Sequence, residues 1–481
     1  MRAIVRAALT LGLITACATP PASPLAATAD ARPAVAPTTR PPSMEPASSV
    51  PAPAEPVADP STPNAPEDAS TSALQPGAVN RTSLAISATY DASVYLGFGS
   101  RTFNVDSTLV ATNRSGSGID RLELNTIAAR LGGLRMRAAT VDGRAVRVTR
   151  SDQTLIVPLG GVLPQGQSVT VRIAYASTLR SSLAGSSWMF TRVNGIASVY
   201  RWLPWISLRR PFDRPNHGDP FVTPVSPEVR VRIHSSQPMA FATSGQLIAS
   251  NGTLKTFLAR NVRDFTITGS PDYRVRSATL GDNVIRVFYR PGAPATTMLA
   301  TARRAIARYE ALIGPYPYRE FKVAQSSGGF GMESPGLIWI PTGAVNLTYL
   351  IHHETAHQWF YSLVGNDQAR EPFTDEAAAD FVARYVTGLR RASRCGTGRL
   401  DLSIYAYSST CYYEVVYIQG GNFLDTLRRR MGGRAFWRGL RAYVTAHRYG
   451  LAPTKSLLDT LDANTSLNLR PSFAVRFPRL Y

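Results

Sequence analysis

Between residues 80 and 290, apolar and polar positions alternate in short runs such as SLAISATY, TFNVDSTLVAT, SVTVRIAYAS, EVRVRIHS and DFTITGS, broken by Gly, Pro, Asn and Asp. A period of two with turn punctuation predicts an antiparallel β-sheet domain. The stretch YRWLPWISLRRPFDRPNHGDPF (200–221) interrupts it as a loop, read as a packed surface loop rather than a substrate-facing lip. From about residue 295 the period becomes helical: TTMLATARRAIARYEALIG spaces its apolar residues three and four apart and stops at Gly314, before Pro315. Strands are expected at FKVAQSS and LIWIP, on either side of GGFGMESPG. Helices are expected near 346–364, 375–390, 412–431, 434–447 and 455–462. The pattern is therefore α+β and multidomain: β domain at 80–290, then a mainly helical domain with a small sheet at 291–481.

The first 79 residues follow neither period. Arg2 and Arg6 precede an apolar run over residues 7–14 and the small residues Thr15 and Ala16, as in a secretory signal peptide (1–16). I-T-A-C resembles a lipoprotein box, with cleavage before Cys17 and lipid on its thiol; a plain signal peptide is the alternative. Residues 17–79, rich in Pro, Ala, Ser and Thr, can build no core and read as a lipid-anchored tether. The expected location is extracytoplasmic, held to a bacterial membrane through Cys17. The two remaining cysteines, Cys395 and Cys411, are then expected to form a disulfide.

Formal charge is +20, almost entirely from arginine, since Lys255, Lys322 and Lys455 are the only lysines. No run of five basic residues occurs; the densest patch is Arg428, Arg429 and Arg430. A compositional bias explains this charge better than nucleic-acid binding, and a monomer is expected.

The chemistry concentrates in HHETAHQWFYSLVGNDQAREPFTDE (352–376), which holds three of the six histidines. His353, Glu354 and His357 form H-E-x-x-H. Histidines four apart on a helix reach one point and can share a cation, and the glutamate between them reaches a water at that cation. Composition alone would produce this pattern roughly 0.002 times per chain. A metzincin would need Gly and His where Phe360 and Leu363 stand. The third ligand is therefore sought among Asp367, Glu371, Asp375 and Glu376. Two imidazoles, one carboxylate and an open position make a catalytic zinc site rather than a structural one, with Glu354 as general base. His352 points elsewhere on the helix, and Asp380 is a candidate acceptor for a ligand imidazole.

These motifs resemble the membrane-alanyl-aminopeptidase family of zinc metallopeptidases, thermolysin-like enzymes whose H-E-x-x-H is followed by eighteen residues and a glutamate. Eighteen residues separate His357 from Glu376 here, so the resemblance implies one Zn²⁺ per chain on His353, His357 and Glu376. His357-Gln358-Trp359-Phe360 and Gly365-Asn366 are similar to the family's wording too. The family's G-x-M-E-N segment resembles Gly331, Met332, Glu333 and Ser334, which implies that Glu333 holds a substrate's α-amino group. Its Y-x-K-G helix resembles Tyr417-Ile418-Gln419-Gly420, which implies that Tyr417, ahead of Tyr412 and Tyr413, stabilises the oxyanion. VRDFTITGSPDY (262–273) resembles the end of the family's N-terminal β saddle. The implied activity is aminopeptidase, with an endopeptidase or a non-catalytic envelope scaffold as alternatives. Ser334 replaces the family's asparagine, and no acidic or amide partner for Glu333 is evident in the β domain. The large C-terminal helical domain of many relatives is expected to be missing, which implies an open cleft.

Overall fold

A computed structural model describes residues 72–212 and 218–481. The signal peptide, Cys17 and most of the expected tether lie outside the described residues. The β domain starts earlier than residue 80: Ala73 and Leu74 pack on its core, and Gln75 exchanges backbone hydrogen bonds with Val162 at 2.9 and 2.8 Å.

The first half is a curved eight-stranded sheet with two four-stranded sheets against it. Along Ile86–Gly97 buried and solvent-facing residues alternate almost strictly, as a half-buried strand requires. The sheet departs from expectation at one pairing, because Ile86–Gly97 runs parallel to Ser226–Ser235. More than a hundred residues separate them, enough chain to return a strand in the same direction.

The second half is built on a five-stranded sheet ordered Arg274–Leu280, Asn283–Tyr289, Glu320–Ser326, Leu337–Pro341 and Met332–Ser334. Its first hairpin lies before residue 291, so the second layer begins near 274. Alternation places this sheet between two cores. Leu337 and Trp339 join the β-domain core, whereas Ile338 and Ile340 join the helical one. Each such buried aliphatic or aromatic side chain contributes about 1.5–3 kcal/mol.

All six expected helices are present, with altered ends. Ala295–Ile313 covers the sheet. The helix expected over 346–364 is Leu347–Ala356. Beyond it the amides of Ser362, Leu363 and Val364 reach back five residues to the carbonyls of His357, Gln358 and Trp359. Tyr361 adopts φ 151°, a conformation that favours glycine. Its hydroxyl is held by Arg201 and Asp264 of the β domain, which offsets that strain. The remaining helices are Ala378–Thr387, Gly420–Met431, Gly433–Ala446, Thr454–Asp462 and an unexpected Arg470–Arg476. Cys395 and Cys411 are joined as a disulfide. Among the described residues no helix is long and apolar enough to cross a membrane.

Candidate active site

Two elements carry H-E-x-x-H and the third carboxylate to one point. Leu347–Ala356 presents His353 and Glu354 from its last turns, and His357 follows at its cap. Phe373–Ala377, a single π-helical turn leading into Ala378–Thr387, presents Glu376. A π turn widens the helix locally and is frequent at functional sites. A second one, Glu414–Gln419, carries Tyr417.

The three proposed ligand atoms form a nearly equilateral triangle. Nε2 of His353 lies 3.3 Å from Nε2 of His357 and 3.3 Å from Oε2 of Glu376. The remaining edge, His357 Nε2 to Glu376 Oε2, is 3.5 Å. Tetrahedral zinc with bonds of about 2.0–2.1 Å separates its ligand atoms by about 3.3 Å. Oε2 of Glu376 is buried with no hydrogen bond of its own, a costly arrangement that a cation would relieve.

The tautomer of His357 agrees with that fit. Its Nδ1 faces two acceptors, Oδ1 of Asp375 at 2.7 Å and the carbonyl of Phe360 at 3.1 Å. The proton therefore sits on Nδ1, and the lone pair of the neutral ring points from Nε2 into the triangle. Asp375 thus carries the role considered for Asp380. Asp380 instead accepts from the Tyr349 hydroxyl at 2.6 Å and pairs with Arg384 one turn along its own helix. Asp367 is engaged by Arg210, and Glu371 accepts from the amide of Thr454 at 2.5 Å, so neither reaches the triangle. His352 is buried away from it, 2.9 Å from the Tyr309 hydroxyl.

The triangle opens into a cleft of ≈ 470 Å³. Asp219, Glu333, Glu354 and Glu376 line it, and among the described residues no lysine or arginine does. Burial pushes Glu354 up to about 7, against the opposing pull of His353 and His357. Burial also raises Glu333 well above the carboxylate range; His357 opposes this, and Asp219, Asp375 and Glu376 add to it. Carboxyl groups crowded and buried in this way resist ionisation until a positive charge compensates them, which a cation at the triangle would do.

Gly331 permits this crowding. A Cβ there would stand 2.2 Å from Oε1 of Glu354, so a larger residue would push the carboxylate out of its place. Glu333, on that strand, lies with Glu354 and a His357 nitrogen inside a 4.8 Å cluster. Tyr417 stacks on His353, ring centres 5.6 Å apart, and lines the cleft with Glu376. Burial, then the charge of Glu376, holds its hydroxyl protonated.

Three participants escaped the sequence reading. Gln368 donates from Nε2 to Asp375 at 2.7 Å and to Glu333 at 3.3 Å, while its Oε1 accepts from Arg201 at 3.2 Å. Arg201 arrives from the loop at 200–221, which is packed into the β core through Trp202, Leu203 and Trp205 but also delivers Asp219 to the cleft. Ser334, in place of asparagine, bonds Asp264 and Ser244 and does not face the cleft.

No family model matches the sequence. Solved structures do resemble the fold. A two-domain M1 zinc metallopeptidase bound to L-tryptophan is 21% identical at TM-score 0.65, over 84% of this chain and 96% of that one. A substituted M1 zinc metallopeptidase from Deinococcus radiodurans, bound to a Tyr-Ser-Ala substrate, is 22% identical at TM-score 0.65 with the same coverage. Another structure of M1 zinc metallopeptidase from Deinococcus radiodurans is 22% identical at TM-score 0.62, over 79% and 90%. Likeness at this level of identity establishes the two-domain fold, an N-terminal sheet domain followed by a helical one.

Proposed function

We propose that this chain is a zinc-dependent metallopeptidase of the membrane-alanyl-aminopeptidase type, and more narrowly an aminopeptidase. The observation that carries the reading is a ligand triangle of zinc dimensions flanked by two further buried carboxylates, Glu333 and Glu354. The similar structures bound to L-tryptophan and to Tyr-Ser-Ala support a peptide as the occupant.

His353, His357 and Glu376 would hold the ion, which when bound supplies Lewis acidity to a carbonyl and lowers the pKa of water at its open position. Glu354, with a pKa near neutrality, accepts the proton of the attacking water and passes it to the departing amine. Tyr417 keeps its proton and donates a hydrogen bond to the developing oxyanion. Glu333, with Asp219 beside it, receives the substrate's terminal ammonium, so Asp219 fills the place of the partner missing from the sequence motif. Asp375 and Gln368 hold His357 and Glu333 in place. Delivery to the cell envelope through lipid on Cys17 belongs to the same proposal; loss of detergent-phase partitioning in Cys17→Ser is its expected signature.

The test compares a free-amino aminoacyl reporter with its N-acetylated twin, with and without chelator, in wild type and Glu354→Gln. Cleavage of the free-amino substrate alone, abolished by chelator and by the substitution, is expected. Equal rates on both substrates would make the enzyme an endopeptidase, chelator-insensitive cleavage would remove the metal, and no cleavage would favour a binding scaffold.

A further inference from the structure

Beside the acidic cleft lies a basic hollow of ≈ 790 Å³. Its walls are the end of Gly420–Met431, which supplies Arg428, Arg429 and Arg430, and the loop after Ala378–Thr387, which supplies Arg390 and Arg391. Arg384 also lines it but is committed to Asp380. Among the described residues that line it Asp425 is the one acid, and three guanidinium groups share it: Arg390 at 3.5 Å, Arg428 at 2.9 Å and Arg429 at 2.7 Å. Among the described residues Arg430 pairs with a neutral hydroxyl, that of Ser472, and with no carboxylate. Positive charge is thus left in excess in a concave site of the size that takes small ligands and peptide side chains.

The hollow adjoins the cleft through one wall. The guanidinium carbon of Arg391 sits 4.3 Å from the ring centre of Tyr349 and 5.8 Å from that of Tyr413. Both tyrosines line the catalytic cleft. Tyr349 stacks on His353, ring centres 5.8 Å apart, whereas Glu333 clusters with His357. The acidic end and the basic hollow therefore lie toward different ligands of the same triangle.

We propose that this hollow is a subsite for carboxylates on the departing part of the peptide, so that peptides with acidic residues or a nearby C-terminal carboxylate are the favoured substrates. This rests on the peptidase reading above. The field aligns a zwitterionic peptide, its ammonium toward Glu333 and its carboxylates toward arginines suited to bidentate pairing. Concavity and the shared wall with the cleft favour a peptide over the flat surface of an anionic membrane.

The test uses two peptides with the same N-terminal residue, one carrying Glu and Asp at its third to fifth positions and the other Gln and Asn. In wild type, kcat/KM for the acidic peptide should exceed that for the amide peptide about three- to tenfold, through KM and only at low salt. The ratio should fall to about one in Arg390→Gln/Arg428→Gln/Arg429→Gln, with folding checked by thermal melting. Fluorescence anisotropy of the labelled acidic peptide on Glu354→Gln enzyme supplies a readout independent of turnover and should show the same loss. Cleavage of both peptides at equal efficiency would overturn the subsite and leave the peptidase reading standing, whereas cleavage of neither would overturn the peptidase reading itself. Arginine-dependent binding to phosphatidylglycerol vesicles with no acidic-peptide preference would assign the hollow to lipid and overturn the subsite.

Discussion

Nδ1 of His357 lies 2.7 Å from Oδ1 of Asp375, buried and shielded from solvent. That contact sets the imidazole's tautomer and strengthens its donor nitrogen. Removing it in Asp375→Ala should weaken zinc binding about 10–100-fold. In Asp375→Asn, whose amide oxygen still accepts the bond, the loss should be smaller. Competition against a calibrated chelator measures both; unchanged affinity in the alanine variant would show that the contact does not matter to the metal.

Tyr417 supplies the only donor we assign to the oxyanion. Tyr417→Phe keeps the ring that stacks on His353 and deletes only the hydroxyl. We expect kcat to fall about 10²–10³-fold with KM little altered. Steady-state kinetics on one peptide decides this, and a change confined to KM would assign Tyr417 to ground-state binding.

Gln368 joins Glu333, Asp375 and Arg201 through one amide. Gln368→Leu leaves buried polar groups on three sides unpaired, each at about 1–3 kcal/mol. The variant should melt well below wild type. It should also discriminate less between free-amino and N-acetylated reporters, since Glu333 loses its positioning donor; a stability loss with discrimination intact would limit Gln368 to a structural role.

His352 gives the fold a pH dependence separate from catalysis. Burial, reinforced by Arg304, pushes its pKa down to about 4 from the usual 6.5. The folded state therefore binds fewer protons than the unfolded state across that window. The contribution of His352 is fully present above about 6.5 and is lost as pH falls toward about 4. Denaturation midpoints of wild type and His352→Gln, measured from pH 7 to 4, should converge as pH falls; parallel curves would contradict the neutral buried imidazole.

The residues legible from sequence share a physical property: their relationship is local or is carried by a short motif. His353 and His357 meet because a helix brings i and i+4 onto one face, whatever surrounds it. Alternation likewise announced the β domain, since a strand with one buried face must repeat every two residues. Glu333, Glu376 and Tyr417 were reached through wording shared with a known family.

Other assignments had no local signal. Gln368 meets Glu333 thirty-five residues away and Arg201 a hundred and sixty-seven away, so no periodicity could announce it. Asp375 and Asp380 look alike along the chain, and only the π turn at Phe373–Ala377 decides which of them faces a ligand imidazole. Helix ends moved for the same reason: apolar residues from Trp359 to Val364 promised more helix, but contacts from Arg201 and Asp264 hold Tyr361 in a conformation no helix contains. The sequence by itself determined the layers and the two histidine ligands proposed for the metal, because these follow from repeats of two and of three to four residues. The tertiary structure decided what orients those ligands and what charge surrounds them, because both depend on side chains brought together from distant parts of the chain.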